Sequence, residues 1–262
     1  MVQPRRPVAR RSWLAAGALA ALLGAGCGAS ATTEVRVEPA EFEVRGPGDA
    51  TALVPVVSAF QAGQAVGPGL EAFGAPDPAP GTAPAFVAAN PTHEGFPLVV
   101  SVVEPSPDGD WLQVRFPQRP NGTTGWVRRA DLQLWGLDNR IEVSVSQRTL
   151  RVLDGDTGAA LFETSVSVGS DVTPTPLGDF FIDIVNPLGA HPTYGWGQLS
   201  VSGFSDVLQT FEGGVGQIAI HGWNRPADMG RNVSNGCVRM NNDDIAVVAS
   251  LAPLGTPVTI VA

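Results

Sequence analysis

The sequence predicts a mainly β protein with one helix, organised as two small domains. Two observations predict this class. Short runs that alternate apolar and polar residues recur from residue 97 to the end and are separated by Gly, Pro and Asn, as is typical of strands and turns. Residues 243–251 instead carry the start and stop signals of a helix. A chain of 262 residues is long enough to bury two modest cores.

Residues 1–26 have the layout of an export signal. Arginines precede an apolar run at residues 13–23, and small residues follow up to Cys27. The run is too short for an ordinary membrane-spanning helix. Residues 10–14 are similar to a twin-arginine signal, although other basic leaders share that pattern. Residues 23–27 resemble a lipoprotein cleavage box, so we expect lipid attachment at Cys27, with simple cleavage nearby as the alternative.

Residues 27–51 are small and polar and predict a flexible tether, and residues 52–135 predict a small antiparallel β domain. The strand-like runs of this domain are residues 97–103, 111–116 and 125–128, with a hairpin signal at Asn121-Gly122. Its D-W-L-x-V and G-W-V segments resemble bacterial SH3-like wall modules, which implies a small barrel. Binding of glycan or peptide and a role as a spacer or packing platform are both open to such a domain.

Residues 138–262 predict a second, mostly β domain. Its strand-like runs are residues 141–145, 149–153, 161–168, 180–185 and 257–261. We expect Asn242 to cap the helix at residues 243–251 and Pro253 to end it. Residues 186–206 are rich in Gly and Pro and predict a long loop, a feature that is usually functional or disordered.

The chain is acidic, with a formal net charge of −9, and all of its basic residues are arginines. A nucleic-acid partner is therefore not expected. The lack of lysine excludes a Lys nucleophile or Schiff base. Arg225, Arg231 and Arg239 cluster in one stretch, which indicates a site for substrate carboxylates, because the guanidinium fork binds carboxylates well. Pairing with nearby aspartates is the structural alternative.

One histidine and one cysteine stand out near that cluster. His221 ends a strand-like run, and Cys237 lies sixteen residues later, beyond a loop rich in Gly, Pro and Asn that can bring the two side chains together. A neighbouring imidazole raises the thiolate fraction of a cysteine. Gly236 permits a sharp turn, after which the amides of Gly236 and Cys237 can face an oxyanion. A buried apolar cysteine and a hydrogen-bonded core histidine are the alternative.

Cysteine usage favours the catalytic interpretation. The chain has two cysteines, and Cys27 is expected to be lipidated or removed. Cys237 would then be the one thiol of an exported protein, a compartment in which a single cysteine calls for an explanation. The three histidines, His93, His191 and His221, show no metal-ligand spacing, so we expect no metal and no cofactor.

Three short segments then occur in a fixed order. They are T-P-L-G-D-F at residues 175–180, the pair His221-Gly222, and S-N-G-C-V-R at residues 234–239, followed by Asn241 or Asn242. Together they resemble the signature of the YkuD-type L,D-transpeptidases of bacterial cell walls. The resemblance implies a mixed β-sandwich with one helix for residues 138–262 and places residues 186–206 as a lid over the cleft. The family often has histidine where Asn235 stands, so no second imidazole is expected there.

The resemblance implies acyl transfer on peptidoglycan stem peptides without a cofactor. Cys237 would attack the third residue's carbonyl, with His221 as base and acid and the Gly222 carbonyl orienting the imidazole. D-Alanine would leave, and a second stem's amine would resolve the thioester into a 3-3 cross-link. Carbapenems should acylate the same sulfur. The expected substrate contacts are Arg239, Ser234, Asn235, Tyr194 and Trp223; His191 is a second base candidate, ranked lower because no strand end positions it.

Two other functions are compatible with these residues. An L,D-carboxypeptidase would use the same site with water in place of the acceptor amine. A non-catalytic peptidoglycan-binding lipoprotein would act through the SH3-like module alone. In each case we expect an exported protein of the cell envelope, with a membrane anchor at Cys27.

Overall fold

The computed structural model describes residues 58–211 and 213–262. The expected leader and tether, with Cys27, lie outside these residues. Within the described ranges, no helix is both long enough and apolar enough to cross a membrane. Strands dominate these ranges and one α-helix is present, which confirms the mainly β class.

The first part of the described chain forms a five-stranded antiparallel sheet. The strand bounds are β1 Phe60–Ala65, β2 Gly69–Ala72, β3 Phe86–Ala89, β4 Val99–Pro105, β5 Trp111–Arg115, β6 Thr124–Arg128 and β7 Leu132–Leu137. The sheet order is β6-β5-β4-β1-β7, and β2 pairs separately with β3. Inward positions alternate along each strand and bury Leu70, Val100, Leu112, Val114 and Phe116 in one apolar cluster. The likeness of this part to SH3 modules stays a prediction.

The second part is built on an eight-stranded mixed sheet of order β10-β9-β8-β17-β12-β13-β14-β16. Its strands are β8 Asn139–Ser144, β9 Thr149–Asp154, β10 Ala160–Ser165, β12 Gly178–His191, β13 Gly195–Phe204, β14 Gln217–Trp223, β16 Val238–Asn241 and β17 Pro257–Val261. The short strands β11 Val168–Gly169 and β15 Asn232–Ser234 form a separate parallel pair. Parallel pairing also joins β14 to β16 and β17 to β8.

The helix α1, Asn242–Leu251, packs against β13 and β14. Ile245, Val248 and Ala249 are its buried residues, and their spacing places them on one face. Asn241 occupies the cap position and makes no side-chain capping hydrogen bond, so the expected cap at Asn242 is wrong by one residue. The acidic first turn still suits the positive end of the helix.

The segment 186–206 is a β-hairpin rather than the long loop that its composition predicts. β12 continues to His191, and β13 pairs with it in antiparallel register from residue 195. Shifts in the register between Ile182 and Ile184 and between Pro187 and His191 accommodate the irregular residues. Cross-strand hydrogen bonds therefore hold this segment as a hairpin, although its Gly and Pro residues predict a loop.

Side chains of the first part bind backbone carbonyls of the second. Arg119 donates to Ser205 O at 2.8 Å, Leu208 O at 3.0 Å and Val215 O at 3.1 Å. The Asn121 amide exchanges two hydrogen bonds of 2.8 Å with the backbone of Phe204. The indole of Trp135 donates to Leu254 O at 3.1 Å. Residues 58–262 accordingly belong to one compact unit.

Candidate active site

The candidate site is a cleft of about 260 Å³ on the face of β12, β13 and β14. Cross-strand register places Gln198 beside His221 and Ser200 beside Ala219, so alternate residues of neighbouring strands form its floor. Tyr194 comes from the turn of the hairpin, and Phe211 and Gly214 come from the segment before β14. Glu94 and Phe96 come from the first part of the chain and form part of the wall. His221 and Cys237 both line this cleft.

His221 lies near the end of β14 and is only 6% exposed. Its Nδ1 is 2.7 Å from the carbonyl oxygen of Gly222. With the proton on Nδ1, that nitrogen donates to the carbonyl and the lone pair of Nε2 is available as a base. Burial, and to a smaller extent the charge of Arg239, lowers the pKa of His221 to about 4, although the Gly222 contact opposes the shift. The imidazole is therefore neutral at pH 7.

Gly222 occupies a position that excludes a side chain. A Cβ there would lie 2.6 Å from Oδ1 of Asn242 and closer still to the carbonyl oxygen of Tyr194. Real Cβ atoms do not approach other atoms so closely. The carbonyl that contacts His221 is thus held by close packing between the hairpin turn and the start of α1.

Cys237 directly precedes β16, where Val238 pairs with Ile220 next to His221. A tight turn presents the cysteine: Ser234 Oγ donates to Cys237 O at 2.6 Å and accepts from the Gly236 amide at 3.1 Å. Gly236 has φ of 114°, a conformation that residues with a Cβ rarely adopt. Cys237 itself is partly exposed, in contrast to the buried Ser234. The turn therefore places Cys237 at the cleft that His221 also lines.

The side chain of Thr175 binds the backbone of the turn that presents Cys237. Its hydroxyl donates to Gly236 O at 2.9 Å and accepts from the Gly169 amide at 2.8 Å, and the residue is 3% exposed. The sequence motif at residues 175–180 contains this threonine, but the motif alone does not reveal the contact. Thr175 is therefore a positioning residue that sequence reasoning missed.

Arg239 stacks on Trp223, with Cζ 4.0 Å from the ring centroid. The indole Nε1 donates to Asp228 Oδ2 at 2.9 Å, which fixes the ring. Arg239 Nε is buried with no hydrogen-bond partner, and Arg239 has no ion pair with any described carboxylate. Burial lowers the pKa of Arg239, an effect opposed mainly by Cys237 and Asp228. The structural alternative for Arg239, pairing with an aspartate, is thus not observed.

The other expected residues divide between the cleft and the surface. Tyr194 contacts the imidazole edge-on, with ring centroids of Tyr194 and His221 5.1 Å apart. Arg225, Arg231 and Asn235 are exposed. His191 stacks on Tyr194, and its Nδ1 accepts from the amides of Thr193 and Tyr194. His191 is the last residue of β12, so the expectation that no strand end positions it is wrong, but it is not among the residues that line the cleft.

This geometry defines a class of domain: a mixed β-sheet whose edge carries a thiol and a buried imidazole in one cleft. Residues 138–260 match the family model of YkuD, the L,D-transpeptidase catalytic domain. The match covers slightly less than half of the chain and confirms the resemblance of its motifs to this family.

Two curated relatives are similar over the same domain. Over 123 residues the chain is 37% identical to YkuD of Bacillus licheniformis, covering 46% of this chain and 64% of that protein. Over 97 residues it is 39% identical to YkuD of Bacillus subtilis, covering 36% of this chain and 50% of that protein. Both relatives carry provisional names as L,D-transpeptidases. The chain spans between half and two thirds of their lengths.

Solved structures of L,D-transpeptidases are also similar to this chain. One from Mycobacterium smegmatis is 17% identical with a TM-score of 0.38, covering 63% of this chain and 91% of that one. Another from Mycobacterium tuberculosis is 16% identical with a TM-score of 0.40, covering 63% and 90%.

Proposed function

We propose that the protein is a peptidoglycan L,D-transpeptidase that transfers acyl groups through Cys237. The observation that carries the proposal is the pair of groups in one cleft: a partly exposed thiol and a buried, neutral imidazole whose Nδ1 is bound to the Gly222 carbonyl. A neutral imidazole with Nε2 available is the form that can take a proton from a thiol.

In the proposed acylation step, Nε2 of His221 takes the thiol proton and the sulfur attacks the carbonyl carbon of the third residue of a stem tetrapeptide. The C–N bond to D-alanine breaks, and the imidazolium returns its proton to the leaving amine. A thioester remains on Cys237. The energy of the amide bond is thereby conserved in the thioester, so no cofactor is consumed.

In the proposed transfer step, the side-chain amine of a diamino acid on a second stem attacks the thioester. His221 accepts the proton of the attacking amine and returns it to the sulfur as the C–S bond breaks. The product is a 3-3 cross-link and a regenerated thiol. Water in place of the amine would give the carboxypeptidase reaction.

The oxyanion that forms in both steps needs hydrogen-bond donors. We propose the amides of Gly236 and Cys237 for this role, with that of Cys237 as the principal donor, because the Gly236 amide donates to Ser234 Oγ. Such a donor commonly contributes about 10²- to 10³-fold in rate. Ser234 then acts through the turn rather than by touching the substrate.

We propose that Arg239 binds substrate carboxylates. Its guanidinium is held against the ring of Trp223, and its Nε has no hydrogen-bond partner in the protein. Tyr194 forms an aromatic wall beside His221, and Asn235 is exposed next to the nucleophile turn. We further propose export to the cell envelope and anchoring through Cys27, on the strength of the leader sequence.

Intact-mass measurement after exposure to a carbapenem tests the proposal. We expect a covalent adduct on the wild-type protein and none on Cys237→Ala. Incubation with stem tetrapeptides should then release D-alanine and yield cross-linked dimers. Tripeptide without dimers would identify the carboxypeptidase instead. Absence of both the adduct and D-alanine release would leave the wall-binding function.

A further inference from the structure

A second cavity of about 370 Å³ adjoins the cleft that contains Cys237. The two cavities share Glu94, Ile184 and Gln217, so they lie side by side, and together they are called the groove below. Gln217 lies four residues before His221 on β14, which corresponds to about 13 Å along a strand. The groove therefore extends well beyond the atoms that react and has room for a second chain.

Asp183 lines the far part of this groove and is only 6% exposed. On β13, Val201 pairs with Ile182 and the adjacent Ser200 pairs with Ile184, so Asp183 is the extra residue of a β-bulge. Bulges commonly turn a side chain toward a functional site. The bulge explains how a carboxylate and its neighbour Ile184 both come to line the same cavity.

One oxygen of Asp183 has a protein partner and the other does not. Gln217 Nε2 donates to Oδ2 at 2.6 Å, and its second hydrogen bond goes to Val201 O at 3.0 Å. The buried Oδ1 makes no hydrogen bond of ordinary geometry, although the Ser200 hydroxyl and the Asp183 amide lie near enough to the carboxylate to oppose the rise in its pKa. A buried carboxylate oxygen without a donor is unfavourable unless a ligand or solvent supplies one. The carboxylate thus has an unused acceptor beside the groove.

Asp183 has no ion pair among the described residues, whereas Glu94 Oε1 lies 3.8 Å from His93 Nε2, a contact that is an ion pair only when His93 is protonated. Glu94 lines the same cavity, and its negative charge adds to the effect of burial, so that the pKa of Asp183 is raised to about 6. Arg119 also lines the cavity, but its guanidinium donates to three backbone carbonyls across the junction. Two acidic side chains and one guanidinium therefore line this part of the groove.

A primary ammonium group fits this arrangement better than a metal ion. It carries one positive charge and three donors, which two carboxylates can accept. Calcium and magnesium take six or more oxygen ligands. Among the described residues, no group of three or more His, Cys, Asp or Glu side chains is placed to hold a metal.

We propose that Asp183 and Glu94 form a capture site for the ammonium group of the chain that accepts the acyl group. The identity of that chain rests on the proposed function. An amine approaches as its ammonium form at neutral pH, because its unperturbed pKa is about 10.4. Capture raises its concentration in the groove. The ammonium then gives one proton to solvent, and the neutral amine moves along the groove to the thioester. Asp183 is thus a specificity residue for the acceptor and takes no part in the attack.

Binding to Cys237→Ala protein tests the proposal without turnover. The two probes are a stem tetrapeptide with lysine at its third position and the same peptide with that lysine Nε-acetylated. Adding Asp183→Asn should weaken binding of the amine peptide about 10- to 100-fold, the usual effect of losing a charge-assisted hydrogen bond, and leave the acetylated peptide unchanged. Equal affinities with and without the substitution would overturn the proposal.

Kinetics on the protein with Cys237 intact separate the two peptides that carry amines. With the acetylated tetrapeptide as acyl donor, Asp183→Asn should raise the KM for a separate amine acceptor about 10-fold and leave the rate of D-alanine release in the first turnover, before any acceptor reacts, unchanged. A defect in D-alanine release confined to the lysine donor would place the ammonium on the donor and overturn the acceptor assignment. Raising the salt concentration should raise the wild-type acceptor KM and hardly affect that of Asp183→Asn.

Two further variants keep the test decisive. Asp179→Asn removes the same charge from an exposed position on β12. It should leave the KM for the acyl donor and the KM for the amine acceptor unchanged. Glu94→Gln is exposed enough to be tolerated and should raise the acceptor KM about 3-fold. If Asp183→Asn does not fold, an unchanged KM in Glu94→Gln overturns the proposal. Wild-type protein that forms no carbapenem adduct but still binds the amine peptide through Asp183 would refute the proposed function and leave the capture site standing.

Discussion

The hydroxyl of Thr175 donates a hydrogen bond of 2.9 Å to the carbonyl oxygen of Gly236. This contact joins the segment after β11 to the turn that presents Cys237. Because the hydroxyl also accepts from the Gly169 amide, it satisfies two buried backbone groups at once. A methyl group in its place would leave both without a partner.

We therefore expect Thr175→Val to slow carbapenem acylation of Cys237 about 10-fold and to lower the free energy of unfolding by about 1–3 kcal/mol. The measurements are a time course of adduct formation by mass spectrometry and urea unfolding. Thr259→Val, the same change on β17, is the matched control and should leave the acylation rate unaltered. An unchanged rate in Thr175→Val would show that the turn holds its shape without the brace.

Gly222→Ala should disrupt the site through a steric clash. The added methyl group would overlap Tyr194 O and Asn242 Oδ1, so we expect a loss of about 1–3 kcal/mol of stability and displacement of the carbonyl that orients His221. Thermal unfolding and the acylation rate measure the two effects. Gly74→Ala is the control, because a Cβ there would meet nothing within 4 Å. Unaltered stability of Gly222→Ala would contradict the tight packing.

The buried imidazole should make stability depend on pH. The unfolded chain binds a proton at His221 below its ordinary pKa of 6.5, whereas the folded protein does so only near 4. Stability contributed by this group is therefore lost as the pH falls from 6.5 toward 4, by up to about 3 kcal/mol. Urea unfolding between pH 7.5 and 4.5 should show a smaller loss for His221→Gln than for the wild type. Parallel curves would contradict the lowered pKa.

Asp183 should have the opposite effect. Burial raises its folded-state pKa to about 6, so its contribution to stability is present at low pH and is lost as the pH rises through 6. Asp183→Asn should then be more stable than the wild type at pH 8, by up to about 3 kcal/mol, and the difference should shrink below pH 6. A destabilised variant at pH 8 would indicate that the ionised carboxylate is stabilised in place. A gain in stability together with a weaker acceptor interaction is the trade-off expected at a functional site.

Much of the catalytic part could be predicted from local sequence. The alternation at residues 141–145 and 257–261 corresponds to β8 and β17, because one side of each strand is buried. The helix follows from its apolar spacing and acidic first turn. The motif residues His221 and Cys237 do line a common cleft, since their segments pair in parallel as β14 and β16.

Other features depend on contacts between distant segments and leave little local trace. The hairpin at residues 186–206 reads as a loop, because pairing with a neighbouring strand outweighs its Gly and Pro content. Asp183 reaches the groove through a bulge, which strand alternation does not predict. Glu94 and Phe96 come from the first part of the chain, so no spacing rule connects them with Cys237. Ser234 belongs to the recognised motif, but only the folded turn shows that its hydroxyl is directed inward.

Arg119 donates hydrogen bonds to the carbonyls of residues 205, 208 and 215. These residues flank the segment that contributes Phe211 and Gly214 to the cleft. Cutting the chain at the edge of the recognised domain would remove that guanidinium along with the Glu94 and Phe96 wall. A truncated protein that begins at residue 138 should consequently show a loosened entrance and poorer selection among peptides. The shortest segment with the peptide selectivity of the intact chain would then be longer than residues 138–260, which match the family.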